Sequence, residues 1–305
     1  MKIKYWLIGL LFLPMALMAQ QKDLTLQDLI PGGKNYAKFV PKSLAQLQWN
    51  GDAYLYAKGD TVWTGEAPKW KKSVLLTKTG LNEALEAAGQ KKVGLLPYFS
   101  VPYAGQSLLS FMANQHLFHY NYAEKKIVAD YALQPGWSNY DFCPENRYLA
   151  FTEGNNLKIL SPENQVTDVT NETADGIVCG QSVHQNEFGI HKGIFWSPKG
   201  SALAFYRMDE SMVTEYPIVN IDARCAKVEP RRYPMAGMKS HHVTVGVYQL
   251  ETGKTIWLKT GTPKEKFLTN ISWSPDEQHI YIAELNREQN EMNLVCYSAV
   301  TGQKE

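Results

Sequence analysis

Three times along this chain an aromatic residue is followed by a small residue, a polar turn and an alternating apolar run. The copies are Phe142-Cys-Pro-Glu-Asn-Arg-Tyr-Leu-Ala-Phe, Trp196-Ser-Pro-Lys-Gly-Ser-Ala-Leu-Ala-Phe and Trp273-Ser-Pro-Asp-Glu-Gln-His-Ile-Tyr-Ile. A degenerate copy without the proline begins at Leu47 (Leu-Gln-Trp-Asn-Gly-Asp-Ala-Tyr-Leu-Tyr). In this template the aromatic ends one strand, the proline presets φ for a turn, and the polar pair closes it. The next strand then alternates inward and outward side chains. A second pattern, strand then Thr-Gly turn then strand, runs from Val247 to Leu258. It begins again at Val295 and is approximated from Phe118 to Val128. Two hairpins per repeat make a four-stranded blade, so the expectation is an all-β chain folded as a β-propeller. The anchors lie further apart than the ~40–45 residues of a regular blade, which predicts insertions between strands. By this count about four to five blades are present, the last cut off at Glu305.

Ahead of the blades, Leu24 to Pro31 has helical spacing and stops at Pro31-Gly32-Gly33. It reads as a short lead-in helix within residues 20–43, with the propeller spanning residues 44–305. Residues 1–19 read as a cleaved secretory signal: Lys2 and Lys4 precede a nearly unbroken apolar run from Tyr5 to Leu17, then Met18-Ala19-Gln20. That run is shorter than the ~20 residues of a membrane span and contains Pro14, so no stable span is expected. Gln20, rather than a cysteine, follows the cut, which argues against a lipid anchor. The expected location is outside the cytoplasm, in the periplasm or at the cell surface.

Charge excludes some partners. With 31 basic and 30 acidic residues the net charge is +1, and nothing predicts a nucleic-acid footprint. The four cysteines (Cys143, Cys179, Cys225 and Cys296) match no CxxC pattern. An oxidising compartment permits pairing, and buried or unpaired thiols are the plain alternative. His116 and His119, and the pair His241 and His242, have no carboxylate at ligand spacing, and no HExxH occurs. Residues 241 and 242 also point to opposite faces if they lie in a strand. No metal or cofactor is expected. Asn171-Glu-Thr and Asn270-Ile-Ser match the glycosylation triplet, a frequent chance occurrence.

The segment Val183-His-Gln-Asn-Glu-Phe-Gly-Ile sets one carboxylate, Glu187, in a polar turn just ahead of the Trp196-Ser-Pro anchor. Arg207-Met-Asp-Glu-Ser-Met-Val and Tyr233-Pro-Met-Ala-Gly follow, then the strand Val243-Thr-Val-Gly-Val-Tyr. In order and spacing this series resembles the propeller half of the dipeptidyl peptidase IV family of the prolyl oligopeptidase clan. The resemblance is clearest from His184 to Leu285 and fainter before Phe142. It implies the substrate-gating part of an exported serine exopeptidase that removes N-terminal di- or tripeptides after proline. In that family a glutamate at this turn holds the free amino terminus of a peptide, which assigns substrate binding to Glu187. An α-ammonium is largely charged at neutral pH, and a carboxylate offers it a charge-assisted hydrogen bond. A fixed anchor measures the distance to the scissile bond.

Two departures from the family pattern matter. Its dipeptidyl branch carries two adjacent acidic residues here, whereas this chain has Asn186-Glu187. The single glutamate is more similar to the prolyl tripeptidyl aminopeptidase branch. No arginine occurs between Pro97 and His119 to serve the family's other substrate clamp. Arg207, Asp209 and Glu210 are expected to make structural ion pairs or turn caps. The chain contains no Gly-x-Ser-x-Gly elbow, so no residue is assigned as catalytic. The resemblance places the Ser, Asp and His in an α/β-hydrolase domain expected in cis and missing from this sequence, and the chain alone is expected to be inactive. A non-catalytic propeller that binds peptide or protein is the alternative from another class, with a periplasmic envelope scaffold as the third.

Overall fold

The computed structural model describes residues 23–41, 43–66 and 71–305; the leader expected over residues 1–19 lies outside them. Two short helices come first, α1 (Leu26–Leu29) and α2 (Tyr36–Phe39). Thr25 opens α1, its amide and hydroxyl both donating to the Asp28 carboxylate (2.9 and 2.8 Å). The lead-in helix is therefore present but only one turn long.

Five antiparallel blades follow among the described residues, each with its strands in chain order. The first holds β1 (Ala45–Asn50), β2 (Ala53–Lys58), β3 (Thr61–Glu66) and β4 (Lys72–Thr77). In the second are β5 (Phe99–Ser100), β6 (Leu108–Ala113), β7 (His116–Asn121) and β8 (Lys126–Ala132). The third has β9 (Trp137–Phe142), β10 (Leu149–Glu153), β11 (Asn156–Leu160) and β12 (Val166–Asp168). In the fourth, β13 (Ile177–Cys179) and β14 (Ile194–Trp196) share the edge of β15 (Ala202–Asp209). An exposed hairpin of β16 (Glu215–Asn220) and β17 (Lys227–Arg232) leaves this blade, which is completed by β18 (His242–Gln249) and β19 (Lys254–Trp257). The fifth contains β20 (Phe267–Trp273), β21 (His279–Leu285) and β22 (Met292–Ser298), flanked by a bridge from Tyr297 to Lys304. The propeller reading and its blade count hold. The expected insertions are the 180–193 loop and the hairpin.

One element departs from the expectation that only short β runs follow Leu44. A ten-residue helix, α3 (Lys78–Ala87), joins the first two blades. Thr77 caps it by accepting from the Gly80 amide (3.1 Å), and Gly89 ends it with φ of 74°. Leu81, Ala84 and Leu85, spaced for one helical face, pack with Leu55, Val62 and Phe111 of the flanking blades.

The three template copies fold alike. In each, the residue after the aromatic donates its amide across the turn: Cys143 to Tyr148, Ser197 to Ala202 and Ser274 to His279, all at 2.9 Å. The aromatics then tie blade to blade. Trp196 Nε1 donates to the Asp141 carbonyl in the preceding blade, and Trp273 Nε1 to the Phe195 carbonyl, both at 3.0 Å. The turns also grip each other: Asn146 Nδ2 donates to the Gly200 carbonyl (2.5 Å), and Glu277 accepts from the Lys199 amide and the Ser201 hydroxyl (2.5 and 2.7 Å).

Between these ties lie apolar seams. Because a strand alternates its side chains, β15 serves two of them. Leu203 and Phe205 face the third blade with Leu157 and Ile159, while Ala202, Ala204 and Tyr206 face the fifth with Leu268 and Ile280. The Tyr206 hydroxyl donates to the Leu268 carbonyl (2.8 Å), so its polar end is satisfied inside the seam. Replacing Trp273 by Phe removes one interblade hydrogen bond, while the Phe195 carbonyl keeps its cross-strand partner in β15. Urea unfolding should show a loss of about 0.5–1.5 kcal/mol. An unchanged midpoint would mean that the indole tie carries no stability.

Candidate functional site

Strands β13 and β14 pair with the same neighbour, and the loop between them is pinched at its base. The Gly180 amide donates to the Tyr206 carbonyl (2.8 Å) and the Tyr206 amide to the Gly193 carbonyl (3.0 Å). At the pinch a Cβ on Gly193 would lie 2.0 Å from the Gln181 carbonyl oxygen, so only glycine fits. Above it the backbone turns left-handed: φ is 53° at His184, 56° at Gln185 and 62° at Asn186. Glu187 returns to extended geometry, and Phe188 and Gly189 are again positive. Left-handed non-glycine residues cost roughly 1–2 kcal/mol each. Val183, His184 and Ile190, all buried, offset that strain by anchoring the turn in the seam below. The Glu187 amide donates to the His184 carbonyl (3.0 Å), so the carboxylate's backbone is tied directly to a buried residue.

The Glu187 side chain is exposed, on the wall of a cavity of about 270 Å³. Across this cavity stand Tyr233 and Pro234, Phe267 and Arg287. Thus the Glu187 turn and the Tyr233-Pro-Met-Ala-Gly step, distant in sequence, form one site. The Glu187 carboxylate is open to solvent on its side of the cavity.

Beneath the turn lies a pair that sequence reasoning did not bring together. The Leu268 amide donates to His184 Nε2 (3.1 Å), so that nitrogen carries a lone pair and the proton sits on Nδ1. From there His184 donates to Nε2 of His241 (2.8 Å), leaving the proton of His241 on Nδ1. Both rings are neutral. Burial, then the neighbouring His241, pushes His184 down to about 3; burial, then His242 and Arg287, pushes His241 down to about 4. Protonating either ring would set N–H against N–H or against the Leu268 amide.

Arg287 also went unnoticed in the sequence. It donates to Glu265 and, at 2.5 Å, to the Met238 carbonyl. Glu265 in turn accepts the Ser240 amide (2.9 Å), which with Arg287 holds its carboxyl below the usual range. This chain of contacts fixes the 233–241 wall. It also brings a guanidinium to the cavity, although none is available from Pro97 to His119.

The remaining candidates have structural partners. Arg207 pairs with Glu172 (2.6 Å), and Asp209 accepts the amide and hydroxyl of Ser211 (3.0 and 2.7 Å). The Glu210 amide donates to the Gly176 carbonyl (2.8 Å). His116 meets Asp130 (2.5 Å), and His119 meets the Ser110 hydroxyl (2.6 Å). His241 is buried and His242 half-buried, on opposite faces of the strand start. Cys143, Cys179, Cys225 and Cys296 are all free thiols.

Residues 106–305 match the family model described as the dipeptidyl peptidase IV (DPP IV) N-terminal region. The chain belongs to the dipeptidyl peptidase IV family. It is similar to the crystal structure of a putative dipeptidyl aminopeptidase IV from Bacteroides ovatus, at 43% identity and a TM-score of 0.78. The match covers 93% of this chain and 39% of that one. Dipeptidyl peptidase 4 of Porphyromonas gingivalis shares the fold, with a TM-score of 0.70 at 17% identity, over 93% of this chain and 42% of that one. Among curated relatives, dipeptidyl aminopeptidase B of Saccharomyces cerevisiae is 30% identical over 142 residues, covering 43% of this chain and 17% of its own length. A probable dipeptidyl-aminopeptidase B of Phaeosphaeria nodorum is 27% identical over 173 residues, 50% of this chain and 19% of that protein. The chain thus matches under a fifth of these curated relatives. In this dipeptidyl peptidase IV family member no helix among the described residues is long and apolar enough to cross a membrane.

The neutral histidines make the protein acid-sensitive. His119 is likewise pushed down to about 4 by burial. Their folded pKa values lie below the unfolded value near 6.5, so the unfolded chain binds protons first as pH falls. Stability should be level above pH 7 and drop below pH 6.5, by about 1.4 kcal/mol per pH unit for each histidine, until the folded values are reached. Urea midpoints at pH 7.5, 6 and 5 test this. A flat profile would place the three rings in contact with water.

Proposed function

We propose that this chain is the substrate-admitting propeller of an exported serine exopeptidase, and that Glu187 holds the free amino terminus of a peptide. The observation that carries the reading is the convergence of the Glu187 turn, the Tyr233-Pro234 wall and Arg287 on one cavity. A carboxylate and a guanidinium lining one cavity suit a peptide end, which offers an ammonium and, beyond it, carbonyl oxygens. The strained turn is held from beneath by buried side chains, as a distance-setting anchor requires. Hydrolysis would belong to an α/β-hydrolase domain in cis, with Ser, His and Asp acting together. That domain, closing over the open side, would also supply the desolvation that the exposed Glu187 lacks. The signal read in residues 1–19 puts the enzyme in the periplasm or at the cell surface.

Two ruler lengths follow from two observations. The single Asn186-Glu187 acid favours release of Xaa-Xaa-Pro. The dipeptidyl names of the relatives favour release of Xaa-Pro. The full gene product containing this segment should be assayed with chromogenic Xaa-Pro and Xaa-Xaa-Pro substrates, beside a Glu187→Gln variant. Loss of the charge-assisted bond should lower kcat/KM about 10–100-fold on the preferred substrate. N-acetylation of the substrate should abolish turnover by the wild type. Equal rates for variant and wild type would make Glu187 structural, and no peptidase activity in the full product would leave a peptide-binding propeller.

A further inference from the structure

At the far end of the strand that leads to Arg287, three different metal-ligating groups meet. A ring nitrogen of His279, the Sγ of Cys296 and a carboxylate oxygen of Glu305 all lie within 4.8 Å of one another. The fold explains the meeting. Tyr281 is the cross-strand partner of Cys296, and His279 that of Ser298, so residues 279, 281, 296 and 298 share one face of the β21–β22 pair. On the other side of β22 the chain comes back: Lys304 bridges to Tyr297, and the Glu305 amide donates to the Cys296 carbonyl (3.0 Å). Strands β21 and β22 and the returning segment at 304–305 thus deliver one donor each.

The imidazole is flanked on both sides. Its Nε2 lies 3.0 Å from Glu305 Oε2, and its Nδ1 lies 3.8 Å from Asp276 Oδ1. Asp276 is itself fixed, accepting from the Ser274 hydroxyl (2.5 Å) and the Gln278 amide (3.0 Å). At 3.8 Å Asp276 does not hydrogen-bond the ring. It stands close enough to accept from Nδ1 once the ring shifts onto a metal, as carboxylates do behind metal-bound histidines.

We propose that His279, Cys296 and Glu305 form a zinc site with Asp276 behind the histidine. One nitrogen, one sulfur and one oxygen suit a borderline-soft ion, and a fourth tetrahedral position is left for water. In such a site donor atoms lie about 3.5 Å apart, so the present 4.8 Å limit asks for only a small inward shift of half-exposed side chains. Zn²⁺ binding releases the Cys296 thiol proton to solvent, so affinity rises with pH. The site is roughly 20 Å along β21 from the cavity. Its effect is to staple the segment at residues 304–305 to the blade, and peptide binding at Glu187 is independent of it. None of the ligands is near another in sequence, which hides the site from spacing patterns.

The test titrates metal-stripped protein with Co²⁺ and then Zn²⁺. The expected result is one equivalent per chain, a thiolate-to-cobalt charge-transfer band that Zn²⁺ removes, and a raised Tm. Cys296→Ser should abolish the band. His279→Ala should weaken Zn²⁺ binding at least ~10-fold, and Asp276→Ala about 10–100-fold. Far-UV circular dichroism confirms that each variant is folded. The proposal is overturned if folded wild type takes up no metal at micromolar free Zn²⁺. It also fails if Co²⁺ binds without the charge-transfer band, or if the Cys296→Ser variant keeps wild-type affinity. In those cases His279 and Glu305 form a simple ion pair beside a thiol that stays with the Tyr281 hydroxyl.

Discussion

The structure depends on the contact between consecutive blades. No blade here could bury both its faces alone, and each relies on a neighbour arriving at the right tilt. The indoles of Trp196 and Trp273 set that tilt by reaching back to carbonyls of the preceding blade. Asn146 and Glu277 do the same at the rim, from one turn to the next. These polar ties are few beside the apolar seams, but they are directional, and apolar burial is not. The seams supply the drive to pack, while the ties specify the angle and register.

The Glu187 cavity is an outcome of that arrangement. Its three walls come from the fourth blade, from the segment leading into β18 and from the fifth blade, so it exists only where two blades are correctly apposed. The left-handed turn is affordable because His184 sits in the same seam and takes the Leu268 amide of the fifth blade. A side chain from one blade accepting the backbone of the next makes the turn's geometry a property of the interface. The two neutral rings also place a titratable couple directly under the wall of the Glu187 cavity.

Much of this was legible in the sequence. The Pro-bearing template marked three blade starts, and the family resemblance rested on residues that prove to be neighbours, Glu187 and Tyr233-Pro234. Helix α3 was equally readable in retrospect: Thr77 before it, Leu81, Ala84 and Leu85 along one face and Gly89 after it are ordinary helix signals. They were outweighed by the β pattern on either side. The His184–His241 contact and the placing of Arg287 were not readable. Each joins residues far apart in the chain, and no local periodicity reports which loop tips meet at one end of a propeller. Spacing rules likewise find metal ligands only when they are close in sequence, which His279, Cys296 and Glu305 are not.

Strand β15 belongs to two seams at once, with odd and even residues serving different neighbours. This divides the chain by its tolerance to changes of length. Adding or removing one residue in β15 would exchange its two faces and send Leu203 and Phe205 into space shaped for alanines. The β16–β17 hairpin, which leaves the blade just beyond β15, can lengthen or shorten without altering either seam. Relatives of this chain should therefore differ in size mainly at that projecting arm, while the span from Trp196 to Asp209 keeps a constant count.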